Sequence, residues 1–195
     1  LNLEADNVGV VLFNRRAEVF FGRRVGDFAD FGEDRDAYRW QFPQGGVDAE
    51  EDIAAAAYRE LKEETGVVSA RLLALTPGWL AYDFPAGYKK KNWRGQRQKW
   101  AAMLFEAPDS EIDLEADDHQ EFDDWRWGEL EEAPSLIVPF KRATYEEVVL
   151  AFAPLRDFLR PVRINLDLEE PGRASDDPGQ FRGRVELEAR DDAEA

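Results

Sequence analysis

Residues 45–67 read GGVDAEEDIAAAAYRELKEETGV, and this stretch decides the fold. A run of four alanines favours a helix, Asp48 and Glu51 have the spacing of a capping pair, and Gly66 is a natural helix stop. The sequence therefore predicts one helix over residues 49–65.

The glutamates of this helix fall on its apolar face. At about 100° per residue, one stripe holds Ile53, Ala57, Glu60 and Glu64, with Leu61 and Glu63 beside it. Burying ionised carboxylates together is costly unless cations or donors compensate, and hard oxygen ligands suit magnesium or manganese. The pattern predicts a divalent-metal site in which Arg59 can also pair with Glu63. The alternative is a solvated glutamate-rich face.

The composition excludes several kinds of site. The 195 residues include no cysteine and one histidine, His119, so thiol catalysis, disulfides and multi-histidine zinc sites are excluded. A hydrophobic share of 44% is typical of a globular domain, and no apolar run is long enough to cross a bilayer. We expect one domain over residues 1–160, no membrane partner and a cytoplasmic location, since the first residues carry no signal segment.

The net charge of −17 is unevenly distributed along the chain. Residues 164–195 hold ten Asp or Glu against four Arg, which predicts an acidic, flexible extension from residue 161 onward. Residues 86–100 hold six Lys or Arg and no acid. This basic island inside the domain is a candidate phosphate-binding surface.

Hydrophobic runs and turn residues predict the remaining elements. We expect a hairpin from residues 8–13 and 18–21, strands over 71–75, 98–106 and 122–127, and an aromatic segment over 79–82 beside the first of these strands. A helix is expected over 139–152, and Pro154 ends or kinks it. Residues 26–39 and 108–118 are predicted loops, and residues 182–188 could pair as a strand.

The spacing within residues 45–67 resembles the Nudix box. Gly45, five residues, Glu51, seven residues and then RELKEETGV (59–67) match that box at every fixed position. Further segments resemble the bacterial RNA pyrophosphohydrolases and dinucleoside polyphosphate hydrolases of the Nudix family: NVGVV (7–11), GRR (22–24), WQFPQGG (40–46), GQRQKW (95–100), EFDDWRW (121–127) and FKR (140–142). The resemblance covers residues 7–152 and implies an α/β fold, the α/β/α Nudix sandwich with a mixed sheet between helices.

The resemblance also implies a role for each box residue. Glu60 and Glu64 match metal ligands, Gly45 matches a loop carbonyl ligand, and Glu63 matches a carboxylate that binds metal or acts as base. Glu121 matches the downstream carboxylate that completes the site. Two or more Mg²⁺ ions, or Mn²⁺, would bridge phosphate oxygens and activate a water, and Glu64 or Glu63 would accept its proton. The structural positions of the box are Glu51, Arg59 and Gly66.

Substrate contacts are predicted among polar and aromatic residues outside the box. Cations would neutralise phosphate and rings would stack on a base. The candidates are Arg24, Gln44, Tyr82, Gln96, Lys99, Phe140 and Lys141.

The implied substrate is 5′-triphosphorylated RNA, from which pyrophosphate is removed. Two departures favour the alternative, a dinucleoside polyphosphate such as a diadenosine polyphosphate: the loop over residues 26–39 is longer than expected, and Ala5 or a neighbour stands where similar RNA enzymes carry Arg. Cleanup of ADP-ribose or oxidised nucleotides fits the box but explains GQRQKW poorly. A non-catalytic Nudix-fold nucleotide sensor is the alternative from another class, and it would be expected to lack a metal carboxylate that this chain retains.

Overall fold

The computed structural model describes residues 4–26, 36, 38–85 and 93–160. Its strands are β1 (Glu4–Phe13), β2 (Val19–Arg24), β3 (Trp40–Gln41), β4 (Gln44–Gly46), β5 (Arg71–Leu75), β6 (Leu80–Asp83), β7 (Gly95–Leu104) and β8 (Phe122–Gly128). Its helices are α1 (Ile53–Thr65), α2 (Ala133–Leu136) and α3 (Arg142–Leu159).

One eight-stranded sheet has the order β3-β2-β1-β7-β5, with β4 beside β1, β6 beside β7 and β8 beside β2. Strands β1 and β7 are parallel from the Glu4–Gly95 pair to the Phe13–Leu104 pair. The other pairings of this sheet are antiparallel. The predicted mixed sheet is therefore confirmed.

Helices cover both faces of the sheet because side chains alternate along β1. Val8, Val10 and Leu12 pack on one face, in a cluster with Ala56, Ala57 and Leu61 of α1. Val11 and Phe13 pack on the other face, in a cluster with Tyr145, Val148 and Phe152 of α3. This arrangement confirms the α/β/α sandwich.

Helix α1 begins four residues later than the sequence predicted. Asp52 is its N-cap, and the Asp52 carboxylate accepts the N–H groups of Ala54 and Ala55 at 2.9 and 3.1 Å. Asp48 and Glu51 instead bond each other in the preceding turn, where the Asp48 N–H donates to the Glu51 carboxylate at 2.9 Å. A start at residue 49 was therefore wrong, because the capping side chain is Asp52, four residues beyond Asp48.

The predicted end of α1 is confirmed at Gly66. Its φ of 72° is left-handed, and its N–H donates to the Lys62 carbonyl at 2.8 Å. Glycine adopts this conformation without the steric cost that a side chain would add.

The strand predictions are confirmed in position but differ in length. The β1–β2 hairpin closes at the Phe13–Val19 pair, and β5 has the predicted bounds. Strand β1 begins at Glu4 because its parallel pairing with β7 continues to Gly95. The WQFPQGG segment supplies β3 and β4, which the sequence interpretation did not identify as strands.

Pro154 does not end α3. The helix runs from Arg142 through Pro154 to Leu159. Phe152 and Arg156 are buried on either side of the proline, and this tertiary burial offsets the missing N–H of one helical turn.

Several predictions fall on residues outside the described ranges. They are the acidic extension over 161–195 with its domain boundary, the strand over 182–188, most of the 26–39 loop, and Lys89, Lys90 and Lys91. Within the described ranges, no helix has the length and apolar character needed to span a membrane.

Candidate active site

Helix α1 brings two carboxylates into the interior at one end of the sheet. Glu60 and Glu64 are 8% and 6% exposed, whereas Glu63 is exposed. Burial raises the pKa of the Glu60 carboxyl, although the Arg59 guanidinium opposes the shift. Burial makes the ionised form of such a carboxyl unfavourable, and a bound cation stabilises that form. Buried carboxylates are therefore suited to binding a metal ion.

The pKa of Glu64 lies well above its ordinary value. Its principal cause is burial, followed by repulsion from the Glu121 carboxylate. The Gln44 N–H donates to the Glu64 carboxylate at 3.1 Å and partly offsets both effects. Glu64 therefore holds its charge at a free-energy cost in the absence of a bound cation.

Strand β4 places Gly45 directly against Glu60. It pairs antiparallel with β1, where Gly45 lies opposite Val8. A Cβ atom at Gly45 would overlap the Glu60 carboxylate, whereas a Cβ at Gly46 would meet nothing within 4 Å. A glycine is therefore required at position 45 for the backbone to approach the carboxylate, as the predicted carbonyl ligand needs.

Arg59 holds the loop and the helix together. Its guanidinium donates to both Glu51 carboxylate oxygens at 2.9 and 2.8 Å, to the Gly46 carbonyl at 2.8 Å and to Glu60 at 2.6 Å. The predicted contact with Glu63 is present at 3.2 Å. The Arg59 side chain and the Asp48 N–H lower the pKa of Glu51 to about 2. Glu51 thus remains ionised and fixes the guanidinium.

A bulge between β2 and β8 brings Glu121 to this site. The register shifts between Arg23 and Arg24, and the Val25 N–H donates to the Glu121 carbonyl at 2.9 Å. The Arg24 guanidinium lies 3.4 Å from the Glu121 carboxylate. Bulges re-aim side chains in this way.

Gln44 connects the carboxylates to Lys141. Its side-chain oxygen accepts the Lys141 ammonium at 3.2 Å and the Gln98 amide at 2.8 Å. Its side-chain amide donates to the Tyr145 hydroxyl at 3.1 Å. Since its backbone N–H binds Glu64, one residue orients both a cation and a carboxylate.

One cavity of about 420 Å³ is lined by Arg24, Gln44, Gly45, Glu60, Glu64, Glu121 and Lys141. Its acidic side chains outnumber its lysine and arginine side chains by six to two: Asp6, Glu60, Glu63, Glu64, Asp117 and Glu121 against Arg24 and Lys141. A polyphosphate would be repelled by this wall unless bound cations reversed its charge.

The predicted substrate contacts divide into two groups. Arg24, Gln44, Gln96 and Lys141 line the cavity. Tyr82 is 8% exposed and lies beneath Lys141, with its hydroxyl bonded to Gln96 and its ring 5.8 Å from the half-buried Phe140 ring. This geometry makes Tyr82 a support for its neighbours.

The described cations of the basic island do not line the cavity. The Lys99 ammonium donates to the Thr76 and Pro77 carbonyls at 3.0 and 2.8 Å, and Arg94 pairs with Asp83. Arg97 pairs with Asp6, which itself lines the cavity. Side chains alternate along β7, so Gln96 faces the cavity while the adjacent Arg97 side chain is directed to the other face of the strand. This alternation could have been used with the sequence alone.

Eight residues that line the cavity were not among the predicted site residues. They are Ala5, Asp6, Asn7, Gln41, Gly46, Trp93, Asp117 and His119. Asn7 was part of the NVGVV segment but received no role, and its side chain accepts the Gln98 amide at 2.9 Å. No spacing in the sequence connects Trp93 or His119 to the box.

The donor set fits a divalent cation that shares its coordination with phosphate and water. Among the described residues, no three Asp, Glu or His side chains converge closely enough to hold a metal ion by themselves. Glu60 lies against the Gly45 backbone and Glu64 against the Gln44 N–H, and magnesium typically takes one or two carboxylates and completes its shell with water and substrate phosphates. The residues that would hold it are Gly45, Glu60 and Glu64, with Glu121 near Glu64.

Known proteins place this geometry in a family. The sequence model of the NUDIX domain matches residues 3–148. The chain belongs to the NUDIX family. It is 54% identical over 162 residues to an RNA pyrophosphohydrolase of Caulobacter vibrioides strain NA1000, covering 80% of this chain and 90% of that protein. It is 49% identical over 150 residues to an RNA pyrophosphohydrolase of Acidiphilium cryptum, covering 75% of this chain and 88% of that protein.

A solved structure supports the NUDIX fold. The crystal structure of a Caenorhabditis elegans Ap4A hydrolase binary complex aligns with a TM-score of 0.53 at 21% identity, covering 77% of this chain and 98% of that one. At this identity the likeness concerns the fold alone. Together with the family match, it confirms the sandwich that the resemblance over residues 7–152 implied.

Proposed function

We propose that this NUDIX protein is a metal-dependent pyrophosphohydrolase that removes pyrophosphate from the 5′ end of triphosphorylated RNA. The observation that carries the proposal is the burial of Glu60 against Gly45 and of Glu64 against the Gln44 N–H, in a cavity that Arg24 and Lys141 also line. The relatives named RNA pyrophosphohydrolase, which align over most of the chain, support the substrate.

The residues of the cavity divide the work of the reaction. Two or more Mg²⁺ ions, with Mn²⁺ as the alternative, would supply charge neutralisation of the phosphates and a more acidic water. Gly45, Glu60, Glu64 and Glu121 hold the cations, and Lys141 and Arg24 bind phosphate oxygens. Arg59 keeps the Gly46 carbonyl and Glu60 in one orientation. The cytoplasmic location predicted from the sequence belongs to the same proposal.

Glu63 and Glu64 are the two candidates to accept the proton of the attacking water. Glu63 is exposed within the cavity lining, and Glu64 is buried beside Glu121. Glutamine at the base position reduces turnover and leaves metal affinity intact, whereas glutamine at a ligand position weakens metal binding as well. Mn²⁺ titration of Glu63→Gln and Glu64→Gln separates the two roles.

The experiment that tests the proposal compares two substrates. Pyrophosphate or phosphate release is measured from a short 5′-triphosphorylated RNA and from diadenosine tetraphosphate at matched concentration, with magnesium and with Glu64→Gln as control. Faster turnover of the RNA, lost in the variant, is expected. Turnover of the dinucleotide alone would overturn the RNA assignment, and activity on neither would favour a nucleotide sensor.

One observation favours the second candidate function, hydrolysis of dinucleoside polyphosphates. Ala5 lines the cavity, so this part of the wall carries a methyl group and no cation. A long polyanion depends more on favourable surface charge than a small dinucleotide does.

A further inference from the structure

Trp93 differs from the other tryptophans of the chain. Of the six, five contact a ring or a cation: Trp40 lies beneath Arg23 and Arg126, Trp79 beneath Arg97, Trp100 against Tyr145, Trp125 against Phe20, and Trp127 against Phe105. The Trp93 ring has no such contact with any described residue, although it is 38% exposed and lines the cavity. A large flat apolar ring is thus part of the cavity lining and is accessible to a ligand.

His119 is a second exposed ring side chain that lines this cavity. It is the one histidine of the chain, it is exposed, and it lines the same cavity two residues before Glu121. Its backbone N–H donates to the Asp117 carboxylate at 3.0 Å, which fixes the turn. Its imidazole makes no hydrogen bond or ion pair within the described ranges.

Two rings that lack a partner among the described residues line one cavity, and such rings are suited to a planar ligand. We propose that Trp93 and His119 form a stacking subsite for a nucleobase of the substrate, an inference that rests on the proposed hydrolysis of a nucleotide. Every base has a π-face, so aromatic stacking binds bases with little preference for their identity. Trp93 and His119 therefore act as binding residues that set affinity for the nucleoside portion.

The charges of the cavity favour a base over a phosphate at this subsite. The phosphate-binding cations Arg24 and Lys141 are engaged with Glu121 and Gln44, beside the carboxylates of α1. The His119 turn carries Asp117, whose carboxylate repels phosphate but tolerates an uncharged base. The turn that carries His119 is therefore better suited to an uncharged base than to a phosphate.

The decisive experiment combines a protein change with a base deletion. Steady-state kcat/KM is measured for 5′-triphosphorylated RNAs that carry an abasic residue at the first, second or third position, using wild type and Trp93→Ala. For wild type, one abasic position is expected to reduce kcat/KM about tenfold through KM. Trp93→Ala is expected to show the same reduction in kcat/KM with the intact RNA. Removing the base from the RNA should then reduce kcat/KM of this variant little further.

Trp79→Ala is the matched control, because Trp79 is 37% exposed but does not line the cavity. It should leave kcat/KM for the intact RNA unchanged, and Trp93→Phe should restore most of the loss. The subsite would be overturned if, at every abasic position, the loss in kcat/KM from the missing base and the loss from Trp93→Ala were independent and multiplied each other. Equal losses in the Trp79 and Trp93 variants would also overturn it.

The single histidine permits a second test that needs no turnover. Imidazole NMR signals of Glu64→Gln protein are followed during titration with triphosphorylated RNA and, separately, with inorganic tripolyphosphate. The base subsite predicts that RNA shifts the His119 signals and that tripolyphosphate does not. Equal shifts would place His119 against phosphate and overturn its role. Because this test measures binding, it stands even if the RNA is bound but not hydrolysed.

Discussion

At the scale of single residues, the cavity combines groups that favour metal binding at the expense of stability. Glu60 and Glu64 are buried side by side with raised pKa values, and burial is the main cause for both. Gly45 leaves no room for a side chain beside Glu60. Each feature can be changed by one substitution with a nearby control.

Glu64→Gln should stabilise the metal-free protein while reducing turnover by about 10²-fold or more. The pKa of Glu64 is higher in the folded than in the unfolded chain, so the folded state holds more protons above the ordinary pKa of 4.5. The free energy of unfolding of wild type therefore falls as pH rises through that window. Chelator-treated wild type and variant should melt together at pH 4 and differ by a few degrees at pH 8. A lower melting temperature for the variant at pH 8 would contradict the predicted penalty.

Gly45→Ala should reduce metal-dependent turnover by about tenfold or more, because the new Cβ would displace the Glu60 carboxylate. Gly46→Ala is the control, since a Cβ there meets nothing within 4 Å. Activity at saturating magnesium and Mn²⁺ affinity are measured for both. Equal effects of the two substitutions would show that the approach to Glu60 is unimportant.

At the scale of elements, the start of α1 determines the position of every box carboxylate. Asp52 caps the helix, while Asp48 and Glu51 form the turn that delivers Glu51 to Arg59. Separate residues therefore hold the helix start and the loop.

Asp52→Ala should lower the free energy of unfolding by about 1 kcal/mol, because the first-turn N–H groups of α1 lose their acceptor. Asp48→Ala serves as the control, since the side chain of Asp48 makes no hydrogen bond with a described residue and its change should stay within about 0.5 kcal/mol. Urea unfolding of the three proteins measures both effects. A larger loss in the free energy of unfolding for Asp48→Ala than for Asp52→Ala would show that Asp48 is the capping residue, as the sequence predicted.

At the scale of the whole molecule, the net negative charge of the protein repels a negatively charged RNA substrate. The chain carries −17 overall, and residues 161–195 contribute ten acids and five arginines, or −5. Without them the formal charge would be −17 + 5 = −12. The rate of encounter with RNA depends on this balance at low ionic strength.

Truncation after Arg160 should retain the cooperative unfolding of the domain and raise kcat/KM for RNA severalfold at low salt. The increase should fade as salt screens the charges, while kcat stays unchanged. A variant that neutralises five acids of the extension without shortening the chain separates charge from length. Loss of the folded domain on truncation would show that the boundary at residue 160 is misplaced.

Sequence and structure contributed differently to the site. The spacing of residues 45–67 was enough to predict α1, its end at Gly66 and the inward side of Glu60 and Glu64, because helical geometry depends on local periodicity. Local spacing did not predict the start of α1, because Asp48 and Asp52 are both possible capping residues. It also did not predict that α3 continues through Pro154, because tertiary burial stabilises the helix on both sides of this residue.

The spacing of residues 45–67 was sufficient to identify the box carboxylates, and the resemblance of short segments over residues 7–152 implied the NUDIX sandwich. Tertiary structure alone decided which distant residues join them. The β2–β8 bulge places Glu121 beside Arg24, and pairing of β6 and β5 with β7 leaves Lys99 on backbone carbonyls. Trp93 and His119 meet in one cavity only after the sheet has formed. Contacts between residues far apart in the chain depend on strand register and packing, which no local pattern encodes.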